Sequence, residues 1–205
     1  MYTTQSGLII GFHGCDEIVG RAVVTNGGNL TNSDNDYDWL GNGIYFWQSS
    51  YKRALRFAEE KQARSPLKIK KPFVIGAILD LGYCLDLLSD EGLGIVSQAF
   101  TNLSEILEKS GKTPPVNSYP KGSILEDLLF RKLDCAVIQY LHSTLDSTAN
   151  KRPYDSIRGL FPEGKELYTG AGFRDKDHIQ ICIANPNCIK GYFIPRELDL
   201  GFSRV

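Results

Sequence analysis

The chain has 205 residues, 42% of them hydrophobic, which is enough for one sizeable core in a single domain over residues 1–205. Its 23 basic and 24 acidic residues give a net charge of -1, which argues against a broad basic surface for phosphate contacts. This balance is still compatible with a small local basic patch. The five cysteines form no CxxC pair and the three histidines are far apart, so we expect no metal site. Free thiols and the lack of an export signal or a long apolar run predict a cytoplasmic protein without membrane contact.

The first third of the chain alternates between apolar runs and polar turns, which predicts short strands and helices. In chain order we expect a buried strand at 7–12 that ends at His13-Gly14, a helix at 15–24, a loop at 25–38, a strand at 44–47 and a helix at 49–64.

The middle of the chain has helical spacing and its last third is rich in strands. Here we expect a strand at 73–81, a helix at 93–107, a loop at 112–122, a second helix, and strands at 156–161, 179–184 and 189–194. Ser123 is the predicted N-cap of the second helix, because Leu125, Leu128, Leu129 and Leu133 follow it at helical spacing. The whole pattern predicts an α+β fold with a helical insertion at about 89–150.

Two short segments have a composition that structural packing alone does not require. They are residues 11–15, which contain His13 and Gly14, and residues 39–47, in which Gly41-Asn42-Gly43 precedes Tyr45. A glycine beside a polar side chain lets a ligand approach the backbone closely. An aromatic residue after such a turn offers a flat surface for stacking. Together, His13 and Tyr45 suit a flat heteroaromatic ring with a polar tail.

The order of these motifs resembles the ADP-ribosyltransferase superfamily, and within it the diphtheria-toxin and poly(ADP-ribose)-polymerase branch, whose signature is His, Tyr and Glu on three strands. The resemblance covers residues 7–82 and 156–194 and includes the helix with residues 53–58. It also extends to small bacterial members, some of which are toxins. It implies split antiparallel β-sheets with flanking helices, and transfer of ADP-ribose from NAD onto a protein or nucleic acid with release of nicotinamide. An antitoxin or inhibitor protein would be a further partner.

By that resemblance, His13 holds a ribose hydroxyl in the adenosine half of NAD, and the backbone of Gly14 pairs with the nicotinamide carboxamide. Tyr45 stacks on the nicotinamide ring and Phe57 closes its other side. The residues expected to contact NAD are His13, Gly14, Gly43, Tyr45, Ala54 and Phe57. We therefore expect the side chains of His13 and Tyr45 to line one cleft.

The third signature position falls on Gln180, where the family usually has glutamate. Cleavage of the bond between nicotinamide and ribose passes through an oxocarbenium-like state, which nearby negative charge stabilises. Glutamine keeps hydrogen bonds but carries no charge. We therefore expect an acid of the preceding loop, Glu163 first and Glu166 second, to supply charge and to act as the base toward the acceptor. The catalytic set is then His13, Tyr45, Gln180, Glu163 and Glu166.

Two other functions remain open. In an NAD glycohydrolase, water would be the acceptor; a module that only binds NAD or ADP-ribose would need no charge at position 180. Taken singly, a histidine near a strand end or a run of aromatic residues is more often part of a core, so the hypothesis depends on the joint pattern. A shift of one residue in the strand register would move Gln180 to the other face of the sheet.

Overall fold

The computed structural model describes residues 7–120, 127–197 and 201 and confirms an α+β fold. The elements are β1 (Ile9–Asp16), α1 (Glu17–Asn26), β2 (Ile44–Gln48), α2 (Tyr51–Arg64), β3 (Pro72–Leu79), β4 (Cys84–Asp86), α3 (Asp90–Lys109), α4 (Lys132–Asp146), β5 (Ser156–Phe161), β6 (His178–Ile183), a 3-10 turn (Pro186–Cys188) and β7 (Ile189–Phe193).

The described strands form one seven-stranded sheet in the order β4-β5-β6-β2-β1-β3-β7. Neighbouring strands are antiparallel except β4 and β5, which are parallel. We expected two split antiparallel sheets, and in this respect the structure differs, because a single ladder order joins all of these strands. Within this sheet, β1 and β2 pair over only part of their length.

The sheet is covered on both faces, which we name after two neighbouring residues of β2. The Phe46 face packs against α1 through Val23, in a core that contains Ile75 and Leu79. The Tyr45 face carries α2 and α4, and its core contains Trp47 and Ile138. Because successive side chains of a strand point to opposite faces, each residue of β1, β2 and β6 can be assigned to one of the two.

The first strand is longer than its apolar run predicted. It pairs with β3 along its whole length, from Ile9 opposite Leu79 to Asp16 opposite Pro72. Helix α1 consequently starts only at Glu17, and the Asp16 side chain caps it by accepting a hydrogen bond of 3.0 Å from the backbone N–H of Ile18. His13 and Gly14 therefore lie inside a strand rather than at its end.

The second helix of the insertion begins later than predicted. Ser123 and Leu125 lie outside the described residues. Leu128 and Leu129 precede α4, because Phe130 forms an isolated antiparallel bridge with Ser118 before the helix begins at Lys132. Tertiary pairing therefore overrides the helical spacing of the leucines at this point.

Candidate functional site

The strands that carry His13, Tyr45 and Gln180 are β1, β2 and β6, and they are neighbours in the sheet. Helix α2 covers β1 on the Tyr45 face and runs in the same direction. The Tyr51 ring contacts Phe12, with centroids 5.9 Å apart, and a Cβ added at Gly14 would lie 2.1 Å from the carbonyl oxygen of Ala54. Only glycine fits at position 14, because the helix backbone lies directly on the strand.

A gap opens between β1 and β2 next to Gly14. The two strands pair only through Gly11 with Gln48 and Phe12 with Trp47, and the backbone N–H of Ser49 donates to Ile10 at 2.9 Å. The next hydrogen-bonding pair in this register would be Gly14 with Tyr45, two residues beyond Phe12 and Trp47, and it is not formed. Since the Ile10 carbonyl points toward β2 and the direction of backbone groups alternates along a strand, the N–H and C=O of Gly14 also point toward β2. The gap therefore receives one backbone donor and one backbone acceptor.

The His13 ring bridges this gap. Its Nδ1 lies 2.7 Å from the carbonyl oxygen of Tyr45, and because a carbonyl only accepts, Nδ1 carries the proton. Burial lowers the pKa of His13 to about 4; the bond to Tyr45 opposes this shift and the positive charge of Lys61 adds to it. The ring is therefore neutral at pH 7 and its Nε2 is an acceptor. Within the described part of the chain no group bonds to Nε2, so it suits a ligand hydroxyl.

We expect His13 to titrate near pH 4 in NMR spectra, with the nitrogen shifts of a ring protonated on Nδ1 at neutral pH. The pKa of His13 in the unfolded chain is near 6.5. Between about pH 6.5 and 4, His13 is therefore protonated in the unfolded state and neutral in the folded state. The free energy of unfolding should fall as the pH drops through this window, and His13→Asn should reduce that dependence. A midpoint near 6.5 in the folded chain would contradict the assignment of Nε2 as the acceptor.

His13 and Tyr45 lie on opposite faces of the sheet, so the prediction that their side chains line one cleft is wrong. His13 stands opposite Ile75 of β3, and its ring contacts Phe46 with centroids 5.9 Å apart. Tyr45 stands opposite Cys182 on the other face. The reason is strand alternation, which the motif spacing did not reveal. The two residues meet only at the gap, through the bond between the His13 ring and the Tyr45 carbonyl.

The Tyr45 ring is held in place by its hydroxyl. This group donates to the carbonyl of Gly41 at 2.8 Å and accepts from the backbone N–H of Leu40 at 3.1 Å. Burial raises the pKa of Tyr45 well above its usual value, so the hydroxyl stays neutral. The ring is half-buried, and a ring fixed at its far end loses little freedom when a ligand stacks on it.

Three other residues predicted to contact NAD, Phe57, Ala54 and Gly43, are packed against neighbouring parts of the protein. The Phe57 ring lies against Trp47, with centroids 4.7 Å apart. Ala54 is fully buried against β1, and a Cβ at Gly43 would lie 2.5 Å from the carbonyl oxygen of Ile183. Ala54 and Gly43 are therefore packing residues, because close approach of the backbone explains both.

Gln180 shares the Tyr45 face, since it stands opposite Trp47 in the pairing of β2 with β6. The Trp39 indole Nε1 lies 2.6 Å from its Oε1. An indole N–H can only donate, so the oxygen of Gln180 must face Trp39 and the Nε2 group keeps its hydrogens. This half-buried amide has no other partner in the described ranges, and it offers donors rather than a negative charge.

Comparison of the chain with family models, with curated proteins and with solved structures gives no match. Within residues 7–120 and 127–197, no group of three or more His, Cys, Asp or Glu side chains could hold a metal ion. No helix in the same part of the chain is long and apolar enough to cross a membrane.

The two loop acids differ from what the sequence suggested. Glu163 is buried, and its carboxylate pairs with Arg53 at 2.5 Å and with Lys176 at 3.6 Å. Its charge is already neutralised, which argues against a free base. Glu166 is exposed and accepts from the backbone N–H of Gly170 at 3.0 Å. No contact of the described residues brings Glu166 to Gln180.

A buried polar cluster that the sequence did not predict lies beside Gln180 and is formed by Trp47, Arg53 and His178. The Arg53 guanidinium lies 5.8 Å from the centre of the Trp47 ring. The centres of the Trp47 and His178 rings are 6.1 Å apart. Burial lowers the pKa of His178 to about 4, and its Nδ1 lies 2.6 Å from the Lys176 carbonyl. The available signal was helical phase, because Arg53 precedes Phe57 by four residues and so lies on the same side of α2, against the Trp47 ring.

Proposed function

We propose that this protein is an ADP-ribosyltransferase that takes ADP-ribose from NAD, releases nicotinamide and modifies a macromolecule at the β1–β2 gap. The supporting observation is the unpaired position of Gly14, whose N–H and C=O point into the gap. A primary carboxamide offers an acceptor and donors and so complements both groups. The nicotinamide ring would then lie beside Tyr45, whose ring is already fixed.

The remaining parts of NAD can be matched to neighbouring groups. The free Nε2 of His13 would accept a hydrogen bond from a ribose hydroxyl, because the neutral ring holds its proton on Nδ1. The Gln180 amide would donate to a ribose oxygen. The pyridinium leaving group is already cationic and needs little acid catalysis, so holding the ring while the sugar moves accounts for much of the expected rate.

The test is to incubate the full chain with NAD and to follow free nicotinamide. Tagged NAD added to a cell lysate would then show whether protease or nuclease removes the label, which identifies the acceptor as protein or nucleic acid. Label on a macromolecule supports a transferase, whereas nicotinamide release without label supports a glycohydrolase. Absence of both NAD binding and nicotinamide release contradicts the proposal.

His13→Ala should weaken NAD binding by about 1–3 kcal/mol in calorimetry, because a ligand hydroxyl loses its acceptor. Tyr45→Ala should lose at least about 0.5–1.5 kcal/mol of stacking. The matched control is Tyr45→Phe, which keeps the ring but loses the bonds to Leu40 and Gly41. Unchanged affinity in both alanine variants would remove His13 and Tyr45 from the site.

A module that binds NAD or ADP-ribose without catalysis is the second candidate. It is favoured by the uncharged Gln180 and by the ion pair that neutralises Glu163. Such a module would bind NAD with the same dependence on His13 but would release no nicotinamide. The two functions are therefore separated by the same assay.

A further inference from the structure

We propose that Lys61 is the anion-binding residue of this site and holds the diphosphate of the dinucleotide. The inference rests on the proposed function for the identity of the ligand, but the anion site itself can be tested separately. Lys61 belongs to none of the motifs that carry the resemblance.

Lys61 continues the inner face of α2 beyond its contact with Gly14. Ala54, Ala58 and Lys61 follow one another at i, i+4 and i+7, so they share one side of the helix. A Cβ added at Gly14 would lie 3.3 Å from the Ala58 Cβ, which fixes the depth of this face against β1. Because α2 and β1 run in the same direction, Lys61 lies past Gly14, toward the end of β1 that has separated from β2.

Lys61 is the exception among the described lysines. Of the lysines that the structure describes, only Lys61 and Lys176 are half-buried, and Lys176 pairs with Glu60 at 2.8 Å. Lys61 forms no ion pair with a carboxylate in the ranges that the structure describes, and its Nζ lies 5.4 Å from the centre of the Phe57 ring. Partial burial of a charged group is unfavourable unless a counter-charge is near, so an anionic ligand is the natural partner.

The surroundings of Lys61 favour an anion with more than one charge. Burial lowers the pKa of Lys61, and the positive charges of Lys68 and Arg64 lower it further. Asp38 acts in the opposite direction, but its carboxylate accepts from the backbone N–H of Asn35 at 2.8 Å and forms no ion pair with Lys61 among the described contacts. A diphosphate would offset the mutual repulsion of the three cations.

The position also fits the order of groups along a dinucleotide. Lys61 lies over the Phe57 ring, and its positive charge contributes to the lowered pKa of His13. The diphosphate of NAD separates its two riboses. A nicotinamide held at Gly14 and a ribose hydroxyl held at His13 would leave the diphosphate between them, next to Lys61.

The test measures the affinity of the full chain for ADP-ribose, inorganic pyrophosphate and adenosine by calorimetry. Lys61→Met keeps the length of the side chain without its charge and should bind ADP-ribose and pyrophosphate about 10- to 100-fold more weakly, the scale of a charged hydrogen bond. Adenosine, which lacks phosphate, should bind equally well to both proteins. Lys61→Arg should keep most of the affinity, and Lys52→Met, an exposed lysine of the same helix, should change nothing.

Failure of this inference and failure of the proposed function give different results. If ADP-ribose binds wild type and Lys61→Met equally, Lys61 holds no diphosphate while nucleotide binding stands. If pyrophosphate binds in a Lys61-dependent way but NAD does not bind, the anion site stands and the proposed function falls. If wild type binds neither pyrophosphate nor ADP-ribose, the inference is overturned.

Discussion

Glu163→Gln is expected to lower the free energy of unfolding by about 3–5 kcal/mol, because it leaves the Arg53 guanidinium charged and buried without its counter-ion. The side chains of Arg53 and Glu163 are 8% and 9% exposed and their charged atoms lie 2.5 Å apart. Two further nitrogens of Arg53, Nε and Nη1, are buried without a described partner. The ion pair of Glu163 with Arg53 therefore connects the loop between β5 and β6 to α2. Chemical denaturation should detect the loss of this ion pair.

The double variant separates the pair from its parts. Arg53→Met removes the buried cation but leaves Glu163 near Lys176, and the combination with Glu163→Gln should destabilise by less than the sum of the two single changes. The control Glu166→Gln changes an exposed loop acid and should have little effect on stability. Normal stability of Glu163→Gln combined with turnover about 10²–10⁴-fold slower would instead support Glu163 as a base.

Local sequence patterns were sufficient for most elements and for six of the seven described strands, whereas the short β4 (Cys84–Asp86) was not predicted. The strand at 156–161 is confirmed residue by residue, and the strand at 44–47 is one residue longer in the structure. These runs are short, apolar and bounded by turn residues, so local chemistry decides them. The register of Gln180 is settled by its pairing with Trp47, which keeps it on the Tyr45 face.

Properties that depend on distant parts of the chain could not be predicted in this way. The length of β1 is set by its pairing with β3, and the register of β1 and β2 against their neighbours places His13 and Tyr45 on opposite faces of the sheet. The ion pair of Glu163 with Arg53 joins residues 110 positions apart in sequence. The sequence therefore predicted an unpaired loop carboxylate, whereas Glu163 is paired in the structure. The gap itself comes from the divergence of β1 and β2, and no residue pattern shows that two strands stop pairing.

Gln180→Glu is expected to raise the rate of nicotinamide release by about 10²-fold, the scale of a single electrostatic contact to a transition state. The carboxylate would still accept the Trp39 N–H through one oxygen, as Oε1 does now at 2.6 Å, and its second oxygen would replace the free amide group. The Arg131 guanidinium lies 5.0 Å from the centre of the Trp39 ring, which is hydrogen-bonded to Gln180, so we expect this positive charge to help the new carboxylate remain ionised.

The gain should appear in the rate and leave NAD affinity nearly unchanged, because the oxocarbenium charge exists only in the transition state. Gln98→Glu is the matched control, since it adds the same charge at an exposed position of α3 and should leave the rate as it is. Gln180→Ala removes the hydrogen-bonding group and should weaken NAD binding. If Gln180→Glu binds NAD normally and releases nicotinamide no faster than wild type, the ribose does not lie beside position 180. A binding module whose ligand sits elsewhere along the gap would then fit better than a transferase.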